Sequence, residues 1–362
     1  MTTSRVNRQN LLLSLESVAP GLASREVIQQ STCVVFHAGK VFTFNDEVAC
    51  SRETPLKGVE GAVKAKPLLD LLSKLKEDEI EIEVTEEEFL IRGKGKKSGI
   101  RKEAEILLPV DAVETPEVWK DIPPDFTEAI SIVSACTSSE ESQFVLTCVH
   151  LTPDCVESTD RYQIARYPIS TGLTRDMLVR GESIKKIVPL DMTQFSETPS
   201  WIHFRNENGL VLSCRRYLED FPDLSRFLST DDTSPVTLPG GLAEMVAAAE
   251  IFSSENSAGN AIAVDLRADR IVFEGEGASG WYKEMKKISY SGIPIRFMIA
   301  PKLLLEISKK SNSCGVAPGR LCITSSKFFY TTCTNVSNEV IKEETGKPDN
   351  TQDKITTTHD EE

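Results

Sequence analysis

Histidine is scarce in this chain, with four in 362 residues, and His37, His150, His203 and His359 are scattered along it. The first three fall in strand or turn contexts, where a structural role is expected. Neither a glycine-rich phosphate loop nor a spaced set of metal ligands is found, so no cofactor is expected and the chain does not read as an enzyme. The acidic run Glu86-Glu87-Glu88 and the basic run Lys94 to Lys102 both read as solvated loops rather than as paired catalytic carboxylates or a phosphate grip. No Cys-x-x-Cys pair occurs, and nine is an odd number of cysteines. Cys33, Cys148, Cys214 and Cys322 lie in strand-like apolar runs, which points to buried reduced thiols rather than disulfides or zinc. No apolar run is long enough to span a bilayer, and the opening MTTSRVNRQN lacks a signal-peptide core, so a cytoplasmic protein is expected. Positive charge is not in excess either. The net charge of −14 argues against a nonspecific nucleic-acid coat, since phosphate repels an acidic surface, but it leaves room for a local basic face.

What is present is an ordinary globular composition, 40% hydrophobic and 27% charged, in a chain long enough for two or three domains. The run from Asn7 to Ala19 carries Leu11, Leu12, Leu15 and Val18 at helical spacing and stops at Pro20-Gly21. A hairpin is expected from Thr32 to Phe44. Pro67 opens a second helix bearing Leu68, Leu71, Leu72 and Leu75, and strands come next at Glu79 to Val84, Phe89 to Arg92 and Ala104 to Leu108. The same order restarts at Asp125, read as a helix cap with Glu128 as its capping-box partner, and strands resume from Phe144. A weak second helix is expected around Ile184 to Val188. The order restarts again near Gly241, and Pro301 opens another second helix.

These restarts are about 118 and 116 residues apart, and in the first and third copies the second helix begins about 60 residues after the first, as expected of an internal repeat. The expected fold class is therefore α+β: three units, each with two helices on antiparallel sheets of about eight strands. The expected boundaries are 1–120, 121–232 and 233–336, and a polar, disordered acidic tail is expected at 337–362. Three units in a row leave open sheet edges at both ends, and end-to-end association into a ring is the simplest way to cover them.

The stretch from Cys214 to Leu228, CRRYLEDFPDLSRFL, joins the last strand of the second unit to a linker. It reads as leaving a sheet edge, with Pro222 ending the ladder, and it fits either an interdomain connector or one wall of a groove.

Four segments, LLLSLESVAPGLASRE, VESTDRYQIARYPI, LSCRRYLEDFPDLSRFL and ISYSGIPIRFMIAPKLLLEI, resemble in order and spacing the β sliding clamps of bacterial and phage replicases, the DNA polymerase III β subunits. The resemblance runs from about Val6 to about Thr334. It implies a head-to-tail homodimer that encircles double-stranded DNA without reading bases, tethers a replicative DNA polymerase and is placed by a clamp loader. Arg25 aligns with a DNA-contacting arginine of the family. Basic residues on or beside the second helices would line the hole: Lys64, Lys66, Lys74, Lys76, Lys185, Lys186, Lys302, Lys309 and Lys310. A partner-peptide groove is implied at Leu146, Thr159, Arg161, Tyr162, Gln163, Ile164, Pro222, Arg226 and Phe227, with Gln163 and Arg226 on its rim. Arg161 and Tyr162 replace the Gly-His pair of the family's Thr-Asp-Gly-His-Arg-Leu run. Ile251 and Phe252 match positions at the dimer interface. The other reading is a clamp-fold scaffold that no longer tethers DNA.

Overall fold

The computed structural model describes residues 2–253 and 260–336; the expected tail lies outside them. The first unit runs β1 (Thr2–Asn7), α1 (Arg8–Val18), β2 (Cys33–His37), β3 (Lys40–Phe44), β4 (Val48–Glu53), β5 (Gly61–Lys64), α2 (Ala65–Lys74), β6 (Glu79–Val84), β7 (Glu88–Gly93) and β8 (Lys96–Glu103). The second runs β9 (Lys120–Asp121), α3 (Phe126–Ser134), β10 (Cys148–Leu151), β11 (Cys155–Thr159), β12 (Gln163–Pro168), β13 (Met177–Arg180), α4 (Gly181–Ile184), β14 (Gln194–Glu197), β15 (Trp201–Arg205) and β16 (Val211–Tyr217). The third runs β17 (Ser234–Thr237), α5 (Leu242–Ser253), β18 (Ile262–Leu266), β19 (Arg270–Gly277), β20 (Gly280–Lys287), β21 (Ile295–Ile299), α6 (Pro301–Lys310), β22 (Ser313–Ala317), β23 (Arg320–Thr324), β24 (Phe329–Cys333) and the short β25 (Asn335–Val336).

Each unit pairs its strands in one antiparallel pattern. In the first, β1 joins β6, β2 joins β3 and β5, β3 joins β4, β5 joins β8, β6 joins β7 and β7 joins β8. The second and third units repeat these pairings, with β25 taking the eighth strand's place beside the fifth. The units are then sewn together by one rule. The fourth strand of the first unit, β4, pairs with the eighth of the second, β16, and β12 pairs in the same way with β24.

The helices bury the faces their spacing predicts: Leu11, Leu12, Leu15 and Val18 on α1, Leu68 and Leu72 on α2, Leu303, Leu304 and Ile307 on α6. Each fully buried leucine contributes about 1.5–3 kcal/mol. Asn7 caps α1 by accepting from Asn10 N–H at 2.9 Å. α5 approaches the sheet closely at Gly275, where a Cβ would stand 1.9 Å from the Ala249 carbonyl oxygen, so only glycine lets α5 settle on β19.

Several local expectations are corrected. The basic run Lys94 to Lys102 is not a loop: Lys94 and Gly95 make a tight turn, with Gly95 at φ +71°, and β8 begins at Lys96. Its lysines hide the alternation, because Ser98 and Ile100 are half-buried while Lys97, Gly99 and Arg101 are exposed. Ala104 to Leu108, expected as that strand, is not one. Phe144 and Val145 lie in a 3₁₀ segment, Glu141–Thr147, before β10. The Asp125–Glu128 capping box does not form, because Asp125 has φ −91° and ψ 1° rather than an extended cap geometry. Both carboxylates instead hold Lys327 of the third unit, at 3.1 and 2.7 Å. Pro67 stands third in α2, not first, where the helix still needs no donor from it. The Cys214 stretch leaves no sheet edge, since β16 is paired on both sides and ends at Tyr217, before Pro222. All nine cysteines are free thiols and seven are buried.

Candidate nucleic-acid interface

The candidate cations divide by what already engages them. Arg25, Lys66, Lys74, Lys76 and Lys302 are exposed, and among the described residues no ion pair holds them. Lys64 is bound by Glu26, Lys185 by Glu182, and Lys309 by Glu306 at 2.8 Å. Lys186 and Lys310 are structural ties. The Lys186 ammonium donates to the Pro20 carbonyl at 2.6 Å, joining the second unit to the first. Lys310 pairs with Glu306 at 3.1 Å and its ammonium lies 5.1 Å from the Tyr330 ring centroid. Helix periodicity places a lysine on a face but does not tell which neighbour takes its charge.

Of the proposed groove residues, three share one cavity. Leu146, Arg161 and Tyr162 line a cavity of about 840 Å³ together with Ser131 and Ser134 of α3, Arg180, Lys185 and Lys302. It therefore opens among helices of the second and third units, beside two of the candidate DNA-facing lysines. Arg161 has φ +81°, a backbone conformation that favours glycine. Arg180 bonds to Glu141 at 2.9 Å, which holds that carboxyl below its usual range, and stacks on Phe144 at 5.7 Å. Nothing in the sequence pattern singled Arg180 out.

Thr159, Gln163 and Ile164 are buried, Gln163 and Ile164 in the second seam opposite Thr332 and Thr331 and Thr159 beside them on β11. Gln163, expected on the rim, donates to Asp160 at 2.8 Å and accepts from the Tyr330 hydroxyl at 2.8 Å. Pro222, Arg226 and Phe227 stand apart on an exposed segment after β16, where Arg226 stacks on Phe227 at 4.6 Å. Among the described residues no hydrogen bond, ion pair or ring contact joins these three to the cavity.

A second cavity, of about 510 Å³, lies against the first seam and is lined by Phe42, Val113, Trp119, His203 and Arg205 among others. His203 is buried there, with Nδ1 2.7 Å from the Ser213 hydroxyl and Nε2 3.0 Å from the Thr198 hydroxyl. Burial pushes its imidazole down to about 4, against a weaker opposing pull from Glu114. Because the unfolded chain binds the proton more readily, this contribution to stability is complete above about pH 6.5 and is lost as pH falls toward 4. The expected loss is up to about 3 kcal/mol. Urea midpoints at pH 7.5 and pH 5 should converge in His203→Gln, and an unchanged gap in that variant would place the titration elsewhere. His37 and His150 sit at unrelated places, His37 on Glu60 at 2.9 Å and His150 between Glu157 at 2.9 Å and Asp176 at 3.8 Å. Among the described residues no group of three or more His, Cys, Asp or Glu side chains is placed to hold a metal, and no helix is long and apolar enough to cross a membrane.

No protein-family model and no curated protein matches the chain. Solved structures do. The DNA polymerase III beta chain of Streptococcus pneumoniae superposes with a TM-score of 0.79 at 15% identity, over 92% of this chain and 99% of that one. The DNA polymerase III subunit beta of Pseudomonas aeruginosa gives 0.76 at 16% identity, over 92% and 99%. The DNA polymerase sliding clamp of Bacillus subtilis gives 0.75 at 16%, over 92% and 98%. The chain thus has the sliding-clamp fold along nearly all of those proteins' length.

Proposed function

We propose that this protein is a sliding clamp for DNA replication: two copies close head to tail around double-stranded DNA and tether a replicative polymerase, placed there by a clamp loader. The observation that carries the reading is the seam rule. Fourth strand meets eighth at both junctions inside the chain, so among the described residues one copy ends with a fourth strand, β20, and an eighth, β8, each lacking that partner. A second copy supplies both, and six domains, at 1–120, 121–232 and 233–336 of each chain, complete the ring.

In this reading Arg25, Lys66, Lys74, Lys76 and Lys302 face the phosphates, with Lys185 and Lys309 in reserve beside their glutamates. Lys186 and Lys310 take no part, being spent inside the fold. Phosphate contacts position a protein without reading sequence, which suits a ring that slides. The cavity holding Leu146, Arg161 and Tyr162 is the proposed partner-peptide site, and the bulk of Arg161 and Tyr162 favours a peptide other than the general bacterial one.

The decisive experiment loads the protein onto nicked circular DNA with a clamp loader and then linearises the DNA. A clamp is retained on the circle and lost from the linear form, whereas a scaffold that has given up tethering is not retained on either. Neutralising Arg25, Lys74, Lys76 and Lys302 together should lower the slope of log affinity against log salt by about one per lost contact, roughly four in all, with dimerisation unchanged. An unaltered slope would move the DNA face to other residues.

A further inference from the structure

The same seam rule, carried to the open ends, predicts residue by residue how one copy meets the next; this rests on the ring reading above. In the first unit Val48 closes the turn before the fourth strand, bonding with Asn45, and pairs across the seam with Cys214. In the second unit Gln163 closes that turn with Asp160 and pairs with Thr332. The matching residue of the third unit is Gly280, opposite Gly277. The eighth strands align through the fifth. Ala62 faces Glu103, Leu178 faces Tyr217 and Met298 faces Asn335, each lying two residues before the cap of its unit's second helix at Lys64, Arg180 and Ala300. Cys214 stands three residues before Tyr217, and Thr332 three before Asn335. Three before Glu103 is Ile100.

We propose that β20 of one copy pairs with β8 of the second in this register, so that Gly280 faces Ile100 of the second copy, Trp281 faces its Gly99, and Tyr282 its Ser98. Size complementarity supports the register. Two consecutive positions set a glycine against a large side chain, with the order reversed between the strands. Trp281 is 72% exposed on an edge strand, an unusual place for a tryptophan without a partner. Gly99 has no side chain of its own to oppose it; Leu90 and Glu88 of β7 stand 3.2 Å from where a Cβ would be, so the ring meets backbone and the Leu90 side chain, and Lys97 and Arg101 flank the place on the same face of β8. Among the described residues no ion pair engages either cation. At the first seam the residue equivalent to Arg101 is Arg215, which bonds to Asp46 in the neighbouring turn. The turn between β19 and β20 holds Ala278 and Ser279 instead, so the Arg101 guanidinium takes the Trp281 ring as its partner. Lys283 would face Lys97, but its charge is met within its own sheet by Glu274 at 2.7 Å. The next pair sets Glu284 against Lys96.

The test is disulfide trapping in the full chain. The double variants Trp281→Cys/Gly99→Cys and Tyr282→Cys/Ser98→Cys place thiols directly across the strands, where Cβ separations of about 4.5–5.5 Å permit a bond in at least one of the two. Mild oxidation should give a reductant-sensitive species of about 80 kDa, twice the 40.0 kDa chain. The offset pair Trp281→Cys/Arg101→Cys and the parent chain should give little. Sedimentation of Trp281→Ala, with its fold checked by circular dichroism, should show dimer affinity at least tenfold weaker. A protein that sediments as a dimer yet traps the offset pair better than both matched pairs, or traps none, overturns this register and leaves the ring standing. A parent chain that stays monomeric at micromolar concentration overturns the ring and the register together.

Discussion

Tyr330→Ala is expected to destabilise the protein by about 3–5 kcal/mol, in the range for removing a buried aromatic ring. The ring is fully buried in β24, opposite Ala165 of the second unit, so its loss opens a cavity in the seam itself. The hydroxyl donates to Gln163, and burial drives its ionisation well above the ordinary tyrosine range, so it remains a donor at any working pH. Tyr330→Phe isolates that bond. It should cost about 1–3 kcal/mol, because Gln163 would be left buried with an unmet acceptor. Urea denaturation of the two variants beside the parent separates packing from hydrogen bonding. A loss below about 1 kcal/mol in Tyr330→Ala would show that the second seam is held by its backbone ladder and by the other side-chain bonds across it, those of Lys327 and Thr332.

The second large effect is on assembly. Phe252→Arg should leave the fold intact and turn the dimer into a monomer of 40.0 kDa by light scattering at micromolar concentration. Phe252 lies near the end of α5, and a Cβ at Gly280 would stand 3.2 Å from its ring, so it backs the first residue of the open strand β20. Its neighbour Ile251 is exposed. An arginine there would bring a charge into a seam that would otherwise bury apolar surface, at a cost of several kilocalories where the charge is left unpaired. Retention on circular DNA should disappear with the dimer. If Phe252→Arg still dimerises like the parent, the closing contact lies away from β20.

Much of the architecture was legible in the sequence because it is periodic. Apolar residues at helical spacing and a repeat near 117 residues identify three copies of one unit without any long-range information. The elements that went astray are those whose pattern is masked by their partners. β8 looked like a loop because its exposed positions are basic and its turn is only two residues long. Asp125 and Glu128 looked like a capping box because their spacing is right, yet a lysine some 200 residues away holds both carboxylates.

The candidate site was less legible for the same reason. Which residues carry charge is written in the chain, but whether the charge is available depends on contacts between units. Lys302 and Lys186 look alike in sequence. One is exposed, while the other is drawn to a backbone carbonyl of the first unit. Likewise Gln163 and Tyr162 are neighbours in sequence, but strand alternation buries the first in a seam and turns the second out to a cavity wall.

By itself, then, the sequence determined the repeat, the helices and their buried faces, since these rest on interactions among residues close together in the chain. The pairing of fourth strand with eighth, and with it the identity of the two strands left open, was decided only by the tertiary structure. Backbone groups of every strand can pair with those of any other, so the choice falls to side chains brought together across more than 150 residues.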